Sequence, residues 1–144
     1  MLFKKSKVGF SSDIIKMADE IVESYCRANS TGFEELSELE RQVLAVYCFG
    51  VSEGVRQGKY ENISNNDVER GIIDLFEQVF KYSRKQSQDF FELIVDSLQS
   101  DNGENTYSII IHRGLDGYFL CMENKQSEAV DAVCDMISIL QRQN

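Results

Sequence analysis

Apolar residues recur every three or four positions along most of the chain, a spacing that places them on one face of a helix. The first such stretch covers residues 12–28, where Ser12 is a candidate N-cap and the opposite face is charged. Its apolar stripe consists of Ile14, Ala18, Ile21, Val22 and Tyr25. The pattern predicts an amphipathic helix here, preceded by a loosely ordered N-terminal arm over residues 1–11.

The second stretch differs from the first because its middle, residues 43–51, is apolar on every side. A helix that is apolar all round is typical of the centre of a bundle. Gly50 and Gly54 lie one turn apart, and together they cost about 2 kcal/mol of helix propensity relative to alanine. We therefore expect a neighbouring helix backbone to approach closely at these glycines. Gly58 is the predicted stop of this helix.

Capping motifs mark several helix starts. They are Thr31-x-x-Glu34, Ser37-x-x-Glu40, Ser64-x-x-Asp67 and Ser83-x-x-Gln86. Apolar stripes of helical spacing follow in residues 68–80 and 90–98, and another lies in residues 127–141. These signals predict three further helices after the central one.

Residues 106–122 have two interpretations. As a hairpin, strands at 107–111 and 118–122 flank a glycine-bearing turn at 114–117. As a helix, Thr106 is the cap and one apolar stripe runs along the segment. The predicted fold is thus an all-α single domain over residues 1–144, a bundle of about six helices. An α+β fold with a hairpin at 107–122 is the alternative.

Charge narrows the range of partners, because 24 acidic and 15 basic residues give a net charge of −9. Nucleic acid and anionic membranes require basic patches, so we predict neither as a partner. A basic protein would be attracted, although the same charge also serves solubility. The longest apolar run falls short of the ~18 residues of a membrane span, and the four separated cysteines indicate reduced thiols. We therefore expect a cytoplasmic protein.

Catalytic signals are weak throughout the chain. His112 is the only histidine, the cysteines form no CxxC pair, and no GxSxG or phosphate-binding glycine loop is present. The carboxylates are numerous, but their spacing does not indicate metal ligands. We accordingly predict no catalytic residues, no cofactor and no metal, and a protein that is not an enzyme.

Three stretches together resemble a family of small bacterial immunity proteins encoded in polymorphic toxin systems. They are LERQVLAVYCFG at 39–50, VFKYS at 79–83 and IHRGLDGY at 111–118, and the resemblance extends over residues 36–122. It implies a helical protein that neutralises a cognate toxin by binding it. It also favours the helix over the hairpin for residues 106–122.

Two groups of polar residues are candidates for contact with a partner. One is the acidic run Glu34, Glu35 and Glu38, which would face a basic toxin or merely form a solvated helix start. The other is His112, Arg113 and Asp116, which in a helix share one face. This second group is either a recognition spot or a partly buried cluster that locks its helix against a neighbour.

Two other functions compete with toxin binding. One is a helical regulatory or adaptor domain that acts as a homodimer through exposed apolar surface. The other is an enzyme that uses carboxylates around a buried pocket, which would require converging polar groups with perturbed pKa values.

Overall fold

The computed structural model describes residues 2–99 and 105–143, and within these ranges the chain forms six α-helices and no strand. The helices are α1 (Leu2–Ala28), α2 (Glu38–Lys59), α3 (Asn65–Phe80), α4 (Arg84–Gln99), α5 (Thr106–Met122) and α6 (Gln126–Gln143), and a short 3₁₀ turn covers Phe33–Glu35. The predicted all-α bundle is confirmed. The alternative hairpin at 107–122 is wrong, because that segment is α5.

The first helix begins at Leu2, so the predicted N-cap at Ser12 is wrong, and residues 2–11 of the predicted arm are helical. Residue 1 lies outside the described residues. The physical reason is Phe10, which is fully buried and extends the apolar stripe of α1 towards the N-terminus. Its ring meets that of Tyr60 edge-on at 5.6 Å between centroids, and it packs over Gly71 of α3.

Three of the predicted helix starts are confirmed, at Ser37, Ser64 and Ser83. In each, the serine hydroxyl accepts a hydrogen bond of 3.1 Å from the backbone N–H three residues later. At the first and third, the side chain of that later residue, Glu40 or Gln86, accepts in return from the serine N–H. Because these interactions are local in sequence, the motif alone was enough to predict them.

Other predicted helix ends are displaced by one residue. The 3₁₀ turn follows Gly32 rather than Thr31, and the carboxylate of Glu35 accepts from the Gly32 N–H at 2.9 Å. Helix α2 continues past the predicted stop at Gly58 to Lys59. Asn105 caps α5 in place of Thr106, accepting from the N–H of Ser108 at 2.9 Å.

Helix α2 is the centre of the bundle, as predicted. Every residue from 43 to 52 is buried, as are Gly54 and Val55. Helices α1, α3, α5 and α6 all pack against it. Tyr47 is buried at this centre, and its hydroxyl donates to the carbonyl oxygen of Ala129 in α6 at 3.3 Å.

The most extensive helix contact in the described part of the chain joins α2 to α5, and glycines permit it. A Cβ built on Gly114 would lie 3.0 Å from the Cα of Gly50 and would overlap the carbonyl oxygen of Tyr47. A Cβ on Gly54 would likewise overlap the ring of Tyr118. The close approach predicted at Gly50 and Gly54 is confirmed, and α5 is the helix that makes it.

Candidate protein-binding surfaces

One face of α5 points away from the bundle and carries a mixture of apolar and charged side chains. Ile109, His112, Asp116 and Phe119 follow one another at intervals of three or four residues, Arg113 adjoins His112, and all five are exposed. We call these five residues the α5 outer face. Ile109 and Phe119 are each 52% exposed, so two large apolar side chains flank the polar ones on this face.

The three polar residues predicted on this helix are thus brought together on one exposed face. No hydrogen bond or ion pair joins His112, Arg113 and Asp116 to one another or to a neighbouring helix within residues 105–143 and the rest of the described chain. The interpretation as a partly buried locking cluster is wrong, because the glycine contact with α2 fastens α5 instead. The charged groups are therefore available to a partner.

The acidic residues before and at the start of α2 have different environments in the fold, some exposed and one turned inward. Glu34, Glu35 and Glu38 are exposed, whereas Glu40 turns inward and accepts a hydrogen bond of 2.7 Å from the hydroxyl of Tyr25 in α1. Burial by itself would raise the pKa of Glu40, but hydrogen bonds from the Ser37 backbone, the Tyr25 hydroxyl and the Ser37 hydroxyl outweigh it and lower that pKa. Glu40 is accordingly a structural residue.

Glu38 also lines a groove that the sequence did not reveal. This groove, which we call the α2–α4 groove, has a volume of about 290 Å³. Its lining consists of Glu38 and Gln42 from α2, Tyr82 from the preceding loop, and Gln86, Asp89, Phe90 and Leu93 from α4. The sequence feature that could have indicated this groove is Leu93, which adjoins the buried Ile94 but lies outside the apolar stripe of α4. Leu93 is 50% exposed.

A larger groove of about 710 Å³ lies between α1 and α3. Both signs of charge line it, including Lys16 and Arg70 as well as Asp19, Glu20 and Asp74. Asp74 is already engaged, since it accepts from Ser11 and from Arg84 of α4 at 3.4 Å each. Its carboxylate is therefore part of the packing of the bundle.

Groups that could support other chemistry are in structural positions. All four cysteines are free thiols; Cys48 is buried, and burial raises the pKa of its thiol, which suppresses the reactive thiolate. Cys26, Cys121 and Cys134 are partly exposed. In residues 2–99 and 105–143 no group of three His, Cys, Asp or Glu side chains is arranged to hold a metal ion. None of the helices over the same residues is long and apolar enough to span a bilayer.

The fold and its surfaces define a class of protein: an acidic helical bundle that exposes apolar and polar side chains together on α5. The profile of the family described as Immunity protein 48 matches residues 13–141, and the chain belongs to that family. The match covers nearly the whole chain and includes the three stretches on which the resemblance rested. Neither the curated proteins nor the solved structures contain a match.

Proposed function

We propose that the chain is an immunity protein that binds a cognate toxin and neutralises it by occlusion, with the α5 outer face as the contact surface. Family membership supports the immunity role. The single structural observation that carries the choice of surface is the pair of half-exposed apolar side chains, Ile109 and Phe119, flanking three polar residues on one rigid helix. Aromatic and arginine side chains are the residue types that most often dominate binding energy at interfaces.

Rigidity is the second argument for this face. Helix α5 is held backbone to backbone on α2, so a partner would meet side chains whose supporting backbone is already ordered. A preordered surface loses less conformational freedom on binding, and more of the contact energy appears as affinity. The net charge of −9 would in addition speed encounter with a basic toxin.

In this proposal the protein acts stoichiometrically in the cytoplasm of the cell it protects. It uses no cofactor, performs no turnover, and has neither nucleic acid nor a membrane as partner. Glu34 and Glu35, at the exposed turn before α2, are secondary contacts for a basic toxin surface.

The test is co-expression and binding with the toxin encoded by the adjacent gene. Phe119→Ala combined with Arg113→Ala removes an apolar anchor and a charge from the α5 outer face. Ile139→Ala combined with Arg142→Ala is the matched control, because Ile139 is 47% exposed and Arg142 is exposed on α6. If each α5 residue is a binding hot spot worth about 2 kcal/mol, the double variant weakens Kd by roughly 100- to 1,000-fold.

Two results contradict the proposal, each in its own way. If the wild-type chain neither binds the toxin nor rescues cells that express it, the immunity role is wrong. If the chain protects but both double variants bind equally well, the α5 outer face is not the contact surface. Circular dichroism on each variant checks that the helical fold is retained.

A second function is favoured by the same exposed apolar residues, namely an adaptor that forms a homodimer through α5. Sedimentation equilibrium distinguishes this function from the first. A homodimer that Phe119→Ala converts to a monomer, in a chain that does not bind the toxin, would support the adaptor function. A monomeric wild-type chain would rule out this second function.

A further inference from the structure

The α2–α4 groove combines an aromatic floor with an acidic rim. Tyr82 and Phe90 supply the aromatic rings, which meet edge-on with 6.0 Å between centroids. Glu38 of α2 and Asp89 of α4 supply the carboxylates, and Leu93 adds an exposed apolar wall. The groove therefore offers apolar contact area and negative charge within the reach of one long side chain.

The carboxylates of the groove are not neutralised by the chain itself. Glu38 accepts a hydrogen bond of 3.2 Å from the neutral amide of Gln42, and within the described residues it has no ion pair. Asp89 pairs with Lys85 at 3.1 Å, but both side chains are more than half exposed and such surface pairs are weak. Arg41 lies close enough for its charge to oppose the rise in the pKa of Tyr82, but its guanidinium lies over the Phe33 ring at 5.3 Å and forms no ion pair with Glu38 or Asp89 within the described residues.

Tyr82 adds an independent indication. Its hydroxyl oxygen is buried and has no hydrogen-bond partner within the described part of the chain. Burial, and then the nearby Glu38 carboxylate, raise the pKa of Tyr82 to about 12, so the phenol stays protonated at neutral pH. A buried polar atom without a partner is uncommon in native proteins, and an N–H group that entered the groove would supply one.

We propose that the α2–α4 groove binds an arginine side chain of the toxin. The apolar stem would lie against Phe90 and Leu93, and the guanidinium would stack on Tyr82 and pair with Glu38 and Asp89. Arginine fits better than lysine, because its planar guanidinium stacks on aromatic rings and binds carboxylates through two parallel hydrogen bonds. This inference rests on the proposed function, and it assigns a second contact, distinct from the α5 outer face, to the same partner.

The first experiment compares dissociation rates from the toxin. Glu38→Gln combined with Asp89→Asn removes both groove carboxylates with little change of shape. Glu128→Gln combined with Asp135→Asn, on exposed positions of α6, is the matched control because it changes the net charge equally. Long-range attraction falls alike in both, so we expect similar association rates, whereas only the groove variant should dissociate at least 10-fold faster.

The second experiment does not depend on the toxin. Acetyl-arginine-amide is titrated into the labelled chain and the resonances of Tyr82, Phe90 and Leu93 are followed by NMR, with acetyl-citrulline-amide as the uncharged analogue. We expect shifts with arginine that are at least 5-fold larger than with citrulline, and that the groove variant abolishes. Equal shifts for the two amides, or equal dissociation rates for the groove and control variants, would overturn the inference. Arginine-specific shifts in a chain that fails to bind the toxin would support the groove and refute the proposed function.

Discussion

Gly114→Ala probes the contact between α2 and α5 on which the bundle and its outer face depend. Alanine would gain about 1 kcal/mol of helix propensity over glycine in the middle of α5. Against this, the new methyl group would lie 3.0 Å from the Cα of Gly50 and would overlap the carbonyl oxygen of Tyr47. Overpacking a core costs about 1–3 kcal/mol, and the upper end applies because both obstacles are backbone atoms that cannot rotate away. The net expectation is a free energy of unfolding lowered by about 2 kcal/mol.

Urea unfolding followed by circular dichroism at 222 nm measures this quantity directly. For a chain of this length the same change corresponds to a Tm lower by about 7 °C. Gly58→Ala is the matched control on α2, since its methyl group would lie 2.7 Å from the hydroxyl of Tyr118, the far end of that side chain, and no closer than 3.5 Å to the ring. We expect that control to lie within about 0.5 kcal/mol of the wild type, or to be more stable through helix propensity.

The reasoning would be refuted by a Gly114→Ala variant at least as stable as the wild type. Such a result would mean that α2 and α5 do not touch backbone to backbone at Gly50. A further check is Gly50→Ala, whose methyl group would meet the carbonyl oxygen of Ile111 and lie 2.9 Å from the Cα of Gly114. Because both substitutions force the same two helices apart, their combined cost should be less than the sum of the single costs.

Three further predictions concern the packing of α1, α2 and α6. Phe10→Ala should lower the free energy of unfolding, measured in urea, by about 3 kcal/mol, because the ring is fully buried. A negligible effect would contradict this burial and would favour a loosely ordered N-terminal arm. Tyr47→Phe should cost about 1 kcal/mol in the same assay through loss of the hydrogen bond to Ala129, and an unchanged midpoint would contradict that bond. Glu40→Gln should make the free energy of unfolding depend less on pH in acid. The hydrogen bonds from Ser37 and Tyr25 hold the pKa of Glu40 in the folded state below its unfolded value. The stability that they contribute is therefore complete above the unfolded pKa and is lost as pH falls through the folded pKa. Thermal melts between pH 6 and pH 3 measure this slope, and parallel curves for the two proteins would disprove the assignment.

Helix starts are the part of this fold that short stretches of sequence determined. The boxes at Ser37 and Ser83 and the cap at Ser64 close within three residues, so no distant part of the chain is needed to form them. The start of α1 was predicted wrongly from Ser12 for the complementary reason. Phe10 extends that helix because α3 and Tyr60 provide a place to bury it, and both are distant in sequence.

The two proposed binding surfaces also depend partly on local sequence and partly on packing. The spacing of His112, Arg113 and Asp116 placed them on one helical face, but their exposure depended on which side of α5 met α2. Glu38 was singled out because it lies in the acidic run. Tyr82 and Phe90, which line the groove with it, were not, because they lie far from Glu38 in the sequence, just before α4 and within it. Proximity between separate segments is a property of packing, and periodicity within one segment carries no record of it.

Patterns within the chain were thus enough to predict an acidic, helical bundle around α2, and three stretches indicated the immunity family. Amphipathic spacing and capping are local, and they were sufficient for those conclusions. The choice of helix over hairpin for residues 106–122, in contrast, depends on packing against a distant segment. Gly114 and Gly117, which weaken a helix in isolation, are the residues that let α5 lie against α2, and the burial gained there offsets their low propensity.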